Sequence, residues 1–139
     1  MDRNAYQMLI AFNRETKKLD DVYRSAAKSC GISECAFWIL YTLREEGRPL
    51  SATDLGGALF LSKQTIHSGV RSLEERGLLK LRSSLEDKRN KEICLTEKGE
   101  AFSQESVDQV VAFEEKAFLD LGAGERLSRI QAERHYLDA

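Results

Sequence analysis

The densest cluster of charged side chains is the run EDKRNKE at residues 86–92. It stands between two short stretches of alternating apolar residues, a position typical of a hairpin tip. Lysine and arginine at such a tip can neutralise phosphate groups, and the aspartate would brace a neighbouring arginine. A solvated loop whose charges compensate one another is the alternative. The candidate contacts in and beside this run are Arg82, Asp87, Lys88, Arg89 and Lys91.

A second set of polar side chains recurs at helical spacing between residues 62 and 71. With Ile66, Val70 and Leu73 turned to a core, these side chains would share the outer face of one helix. Glutamine can pair with adenine through two hydrogen bonds, and lysine or arginine can bind phosphate. An ordinary solvated helix is the alternative. The candidate contacts on this helix are Ser62, Lys63, Gln64, Thr65, His67, Ser68 and Arg71.

The chain has three cysteines and two histidines, without a CxxC motif, so we predict neither a metal site nor a disulfide framework. Cys30 and Cys35 lie near the junction of two predicted helices and could sense oxidants if a thiolate were stabilised there. Reduced structural thiols are the alternative. A Gly-rich phosphate loop and a GxSxG nucleophile motif are both missing, so we expect no enzyme and no cofactor.

Two helices are predicted in the first third of the chain. Apolar residues spaced by three and four over residues 3–28 indicate a long amphipathic helix, which Gly31 ends. Ser33 is the predicted N-cap of a second helix at 34–46. The apolar stripe of this second helix carries three aromatic residues, and core packing is its simplest role.

Two shorter helices follow, joined by a tight turn. Ser51 and Asp54 resemble a capping box that opens the first of them, and Ser62 caps the second, predicted at 63–76. This arrangement is the layout of a helix-turn-helix. The predicted inner face of the first short helix consists of Ala52, Leu55, Ala58 and Leu59.

The remaining sequence predicts a β-hairpin and then helices. The hairpin loop is expected at about 83–90, with Leu81 and Leu95 among the inward positions of its strands. Thr96 is the predicted cap of a helix that continues unbroken to residue 121, and a last helix follows it.

These elements predict a mostly α fold with a small β-hairpin wing, that is, a winged helix-turn-helix flanked by dimerisation helices. We expect an N-terminal dimerisation helix at 1–30, a winged DNA-binding domain at 31–96 and C-terminal dimerisation helices at 97–139. The apolar stripes of the terminal helices exceed what one small winged domain can cover, so a homodimer is predicted.

The charge distribution favours a nucleic-acid partner, although the whole chain carries a net charge of −2. Residues 48–91 contain nine basic and five acidic side chains, a balance of +4, and the rest of the chain carries −6. A basic module between acidic ends is typical of proteins that bind nucleic acid. Apolar runs are too short to cross a membrane and no signal peptide is visible, so we expect a cytoplasmic protein without a membrane partner.

Residues 61–100, LSKQTIHSGVRSLEERGLLKLRSSLEDKRNKEICLTEKGE, resemble the MarR family of bacterial transcription regulators. The family pattern has a recognition helix, a Leu-Glu-x-x-Gly-Leu turn, a D-x-R wing and a Leu-Thr-x-x-Gly helix start. The resemblance implies that Asp87 and Arg89 are the wing pair, with Arg89 in the minor groove. His67 and Ser68 stand where the family often carries Thr-Arg, so the base preference stays open.

The resemblance also implies a dimeric, ligand-responsive repressor that binds an inverted repeat in double-stranded DNA. Family effectors are small aromatic molecules bound between the winged domain and the dimer helices, where Tyr6, Trp38 and Tyr41 are the candidate pocket residues. Two alternatives are a winged-helix module that binds protein and no DNA, and a regulator that senses oxidants through cysteine.

Overall fold

The computed structural model describes residues 2–139, which form seven helices and two strands. The mostly α fold with a hairpin wing is confirmed. In chain order the elements are α1 Arg3–Ser29, α2 Glu34–Glu46, α3 Ala52–Leu59, α4 Lys63–Glu75, β1 Leu79–Ser83, β2 Lys91–Leu95, α5 Glu97–Glu105, α6 Val107–Leu119 and α7 Ala123–Asp138.

Hydroxyl side chains begin four of the helices, at the predicted positions. The Oγ atoms of Ser33 and Ser62 accept hydrogen bonds from backbone N–H groups three residues later, at 3.1 and 3.2 Å. Thr96 caps α5 in the same way, and Ser51 forms a complete capping box with Asp54. Each cap satisfies an N–H group that has no partner inside the helix, which is why these boundaries could be predicted.

The core forms around α2, which lies between the terminal helices and the helix-turn-helix. Phe37 and Leu40 of α2 are fully buried, as are Leu55 of α3 and Ile66 and Leu73 of α4. Helices α3 and α4 pack on α2 and on each other. The position of α4 is therefore fixed by apolar contacts along its inner face. Ala58, predicted to face inward on α3, is instead exposed.

The wing is an antiparallel hairpin in which Leu79 pairs with Leu95 and Ser83 pairs with Lys91. Leu50 forms an isolated antiparallel bridge on the other side of β2. Its N–H donates to the Ile93 carbonyl at 3.2 Å, and its carbonyl accepts from the Ile93 N–H at 2.7 Å. The predicted alternation holds only in part. Ile93 and Cys94 are both buried, because β2 is the middle strand and is covered on both faces, whereas Leu81 is 45 % exposed.

The helix predicted to run unbroken from Thr96 to residue 121 is interrupted at Ser106, where φ is −125° and ψ is −79°. That prediction was wrong. The Ser106 hydroxyl donates a hydrogen bond to the Phe102 carbonyl, four residues earlier. A serine that bonds back onto the preceding turn competes with the helical backbone and bends the chain. The result is two helices, α5 and α6, in place of one.

Candidate nucleic-acid interface

The outer face of α4 carries the polar side chains that the sequence singled out. Lys63, Gln64, His67 and Ser68 are exposed to solvent. On the opposite side of the helix, Ile66, Val70 and Leu73 are buried. A helix held by its apolar face, with a polar face open to solvent, can enter a groove without rearranging its own packing.

Three other candidates on α4 already make contacts within the chain. The Ser62 hydroxyl accepts from the Thr65 N–H at 3.2 Å and lies 2.8 Å from the Thr65 hydroxyl, so both residues shape the start of the helix. Arg71 Nε lies 3.4 Å from a Glu75 carboxylate oxygen, and both side chains are largely exposed. Exposed pairs of this kind are worth little, so Arg71 can exchange Glu75 for a phosphate.

Gly69 explains how α4 approaches α2 so closely. A Cβ atom at Gly69 would lie 2.7 Å from Ile39 Cδ1 and 2.9 Å from Cys35 Sγ. A glycine in a helix interior is unfavourable by roughly 1 kcal/mol relative to alanine. Here it allows two helices to touch and sets how far the outer face of α4 projects.

The three cysteines differ in burial, with only Cys94 buried. Cys35 Sγ lies 3.7 Å from the Thr65 carbonyl, behind α4, and burial raises the pKa of its thiol. A redox sensor needs the opposite shift, because the thiolate is the reactive form. Cys30 is half-buried at the C-cap of α1, and Cys94 is buried in the hairpin.

The wing loop is shaped by Asp87. Its carboxylate accepts hydrogen bonds from the Arg89 N–H at 3.0 Å and from the Asn90 side-chain amide at 3.4 Å. The Ser84 N–H bonds the Asn90 carbonyl at 2.9 Å and closes the base of the loop. Asp87 therefore supports the backbone at Arg89, and the Arg89 guanidinium extends into solvent.

The basic residues of the wing differ in whether they are paired with a carboxylate of the same chain. Arg82 Nε bonds a Glu92 carboxylate oxygen at 2.9 Å across the two strands, and this pairing raises the pKa of the Arg82 guanidinium. Lys88 and Lys91, like Arg89, are exposed. The wing therefore presents three exposed cationic groups near its tip, and Arg82, nearer its base, is partly neutralised.

An aromatic cluster joins α1, α2 and α6. The Trp38 ring lies 4.7 Å from that of Tyr23 and 5.1 Å from that of Tyr41, measured between centroids. Glu114 of α6 accepts hydrogen bonds from both phenols, at 3.0 Å from Tyr41. Tyr6 is not brought to this cluster, because it precedes Tyr23 by 17 residues, or about 25 Å along the helix.

Tyr23 and Glu114 were missed by the sequence reasoning. Tyr23 belonged to the predicted apolar stripe of the first helix, which was the only available signal. Beside them is an open groove of about 600 Å³ whose walls include Leu19, Phe118 and Arg129. It contains acceptor oxygens, phenols and apolar surface, a combination that suits an aromatic small molecule.

Two further kinds of site are lacking among residues 2–139. No three His, Cys, Asp or Glu side chains are grouped so that they could bind a metal ion. Within the same residues, none of the helices is both long enough and apolar enough to cross a membrane.

A helix-turn-helix followed by a hairpin that lies beside it defines a winged helix fold. Residues 31–90 match the model of the MarR family. The match confirms the resemblance to this family that the sequence motifs indicated. No curated protein matches the chain.

Solved structures resemble the chain over nearly its whole length. The MarR family regulator NMB1585 from Neisseria meningitidis is 24% identical, with a TM-score of 0.75 over 94% of this chain and 91% of that one. The transcriptional regulator BldR from Sulfolobus solfataricus is 20% identical, with a TM-score of 0.72 over 99% of both chains. Reduced AbfR bound to DNA is 26% identical, with a TM-score of 0.69 over 98% of this chain and 93% of that one.

Proposed function

We propose that the protein is a homodimeric transcription regulator that binds double-stranded DNA, with α4 in the major groove and the wing at the minor groove. The observation that carries this proposal is the open polar face of α4 beside an exposed cationic wing tip, both on the basic segment of the chain. A major groove about 12 Å wide accepts one helix. The hairpin then lies over the adjoining backbone.

Each exposed side chain has a role that follows from its chemistry. Gln64, His67 and Ser68 face base edges, where amides, imidazoles and hydroxyls can donate or accept hydrogen bonds. Lys63 and Arg71 bind phosphates and fix the register of the helix on the duplex. In the wing, Arg89 enters the minor groove, while Lys88 and Lys91 neutralise phosphates and Arg82 contributes less because of Glu92.

In this proposal, a second copy of the chain buries the exposed apolar side chains of the terminal helices. Ala27 is the only buried residue of α1, and α7 has none among the described residues. Two recognition helices related by a two-fold axis would lie about 34 Å apart, so the target is an inverted repeat. The exposed apolar side chains available for this contact include Met8, Leu9, Phe12, Phe113, Leu127, Ile130 and Leu137.

Similar structures support the DNA-binding part of the proposal. AbfR was solved bound to DNA in its reduced and its overoxidized forms, and a point mutant of MepR from S. aureus was solved with an oligodeoxyribonucleotide. The protein would act in the cytoplasm as a repressor. AbfR was solved in reduced and overoxidized forms, and oxidant sensing through cysteine is the alternative function, although the raised pKa of the half-buried Cys35 thiol is poorly suited to it.

Response to a ligand is the finer part of the proposal. The groove beside Tyr23, Tyr41 and Glu114 lies where the winged domain meets α1 and α6. A small aromatic molecule held there would change the separation of the two winged domains and with it the match to the two half-sites. The similar regulator BpsR from Bordetella bronchiseptica has its DNA binding regulated by 6-hydroxynicotinic acid.

A fluorescence-anisotropy titration of the full chain tests the function. The probe is a pool of short duplexes with random central sequence, titrated at about 50 and 200 mM salt and followed by sequencing of the bound fraction. We expect binding that falls steeply with salt and enriches a two-fold symmetric motif. A folded dimer that binds no duplex at either salt would favour the protein-interaction alternative.

A further inference from the structure

Phe60 occupies a backbone conformation that the fold would assign to glycine. It has φ 53° and ψ 40°, and it is the only non-glycine residue with positive φ among residues 2–139. At this point α3 ends, and the N–H groups of Phe60 and Leu61 both donate to the Gly56 carbonyl. That closure requires the left-handed region, where a Cβ atom crowds the backbone.

The Phe60 side chain is also 94% exposed. Between residues 30 and 110 only three large apolar side chains are exposed: Phe60, Leu81 and Leu85. The other exposed apolar side chains of the described chain belong to α1, α6 and α7, which a second copy would cover. The ring contributes nothing to the core, and its backbone is strained, so neither packing nor local structure explains a phenylalanine here.

The position of Phe60 points to its partner. It lies two residues before Ser62, the N-cap of α4, and the exposed Lys63 and Gln64 follow directly. In helix-turn-helix proteins the amino end of the recognition helix is the part that contacts base edges. Because the two hydrogen bonds to the Gly56 carbonyl fix the turn, the backbone that carries the ring is held just before the residues that begin α4.

Thymine is the base whose major-groove edge suits an apolar ring, because it carries a 5-methyl group. We infer that Phe60 contacts a thymine methyl group at the edge of the major groove and selects thymine at one position in each half-site. This inference rests on the proposed function, since it requires α4 to dock on DNA. It adds a specificity residue outside α4 and the wing.

The test uses the full chain and duplexes selected from the random pool by the wild type. Each selected duplex is compared with copies in which single thymidines are replaced by deoxyuridine, which removes only the methyl group. Phe60→Gly and Phe60→Asn remove the ring and suit the left-handed conformation. Phe60→Leu keeps apolar bulk. Thermal unfolding and sedimentation check that each variant is a folded dimer.

A single uracil substitution at the contacted position of one half-site should weaken wild-type binding by about fourfold, the equivalent of one buried methyl group at ~0.8 kcal/mol. Phe60→Gly and Phe60→Asn should bind the thymine duplex more weakly and lose that discrimination, and Phe60→Leu should keep part of it. Equal uracil sensitivity in the wild type and in Phe60→Gly would overturn the inference, as would unchanged affinity of Phe60→Gly.

These outcomes distinguish a failure of this inference from a failure of the proposed function. If the wild type enriches a symmetric motif but Phe60→Gly behaves identically, the protein binds DNA and Phe60 does not read it. If the wild type binds no duplex, the proposed function has failed and the inference fails with it. In that case a ring exposed to this extent would be a contact for another protein.

Discussion

Arg44 of α2 bonds Asp108 of α6, with its Nε atom 3.0 Å from Asp108 Oδ1. The same guanidinium also pairs with Glu100 of α5. One side chain therefore contacts both sides of the break at Ser106. It connects the winged domain to the outer helices at the point where the chain bends.

Replacing Arg44 by methionine should lower the free energy of unfolding by about 1–3 kcal/mol, because it leaves the half-buried Asp108 without its charged partner. Urea denaturation at one fixed protein concentration measures the change, since a dimer's stability depends on concentration. Arg48→Met is the matched control. The Arg48 pair with Glu46 is exposed, at 3.5 Å, and should be worth less than ~0.5 kcal/mol. Equal losses in the two variants would remove any special role for Arg44.

Alkaline pH should release the contact between α2 and α6. Burial, with the nearby Glu114 carboxylate, raises the pKa of Tyr41 to about 12 and shifts the pKa of Tyr23 in the same direction. A raised pKa means that the neutral phenol stabilises the fold fully below its ordinary value of 10.0, and that this stability is lost as pH rises through about 12.

The prediction is checked by comparing wild type and Tyr41→Phe in urea denaturation from neutral pH to the onset of alkaline unfolding. The difference in stability should be constant below the ordinary tyrosine pKa and should shrink above it. A difference that stays constant at high pH would mean that Tyr41 ionises as readily in the fold as in the unfolded chain.

Local chemistry explains why much of the fold could be predicted from the sequence. A cap such as Ser33 or Thr96 needs only the backbone N–H groups of the next turn, and the buried stripe of α4 follows from helical spacing. The break at Ser106 could not be predicted in this way. The sequence there is compatible with one helix, and the bend also brings α6 against α2, a contact far away along the chain.

The residues of the candidate site, too, could be predicted from the sequence only in part. The exposed face of α4 follows from its period, so Gln64 and His67 could be named in advance. The Arg82–Glu92 pair depends on the hairpin register, and the Asp87 hydrogen bonds depend on the loop conformation. Tyr23 and Glu114 are 91 residues apart, so only the assembled fold brings them together.

Gly69→Ala should destabilise the protein, although alanine is the better helix former. The added methyl group would lie 2.7 Å from Ile39 Cδ1 and 2.9 Å from Cys35 Sγ. Overpacking of this kind is unfavourable by about 1–3 kcal/mol, measured by urea denaturation. Gly57→Ala is the control, because nothing lies within 4 Å of its Cβ position and it should be neutral or stabilising.

A double variant separates crowding from other causes at the same position. Ile39→Val removes the Cδ1 atom that lies closest to the added methyl group. If crowding is the cause, Gly69→Ala should be less harmful in the Ile39→Val background than in the wild type. Additive effects of the two substitutions would exclude this contact as the reason.

Arg89→Ala should weaken binding to a selected duplex by about 1–3 kcal/mol and lower the slope of log affinity against log salt by about one. Arg14→Ala, which removes an exposed arginine from α1, should change neither quantity.

Asp87→Ala tests whether Asp87 acts by supporting the wing loop. The carboxylate bonds the backbone N–H of Arg89, so its loss should loosen the loop and weaken binding although a negative charge has been removed near DNA. Tighter binding by Asp87→Ala would mean that repulsion of phosphate, and not the hydrogen bonds within the loop, is the main effect of this aspartate.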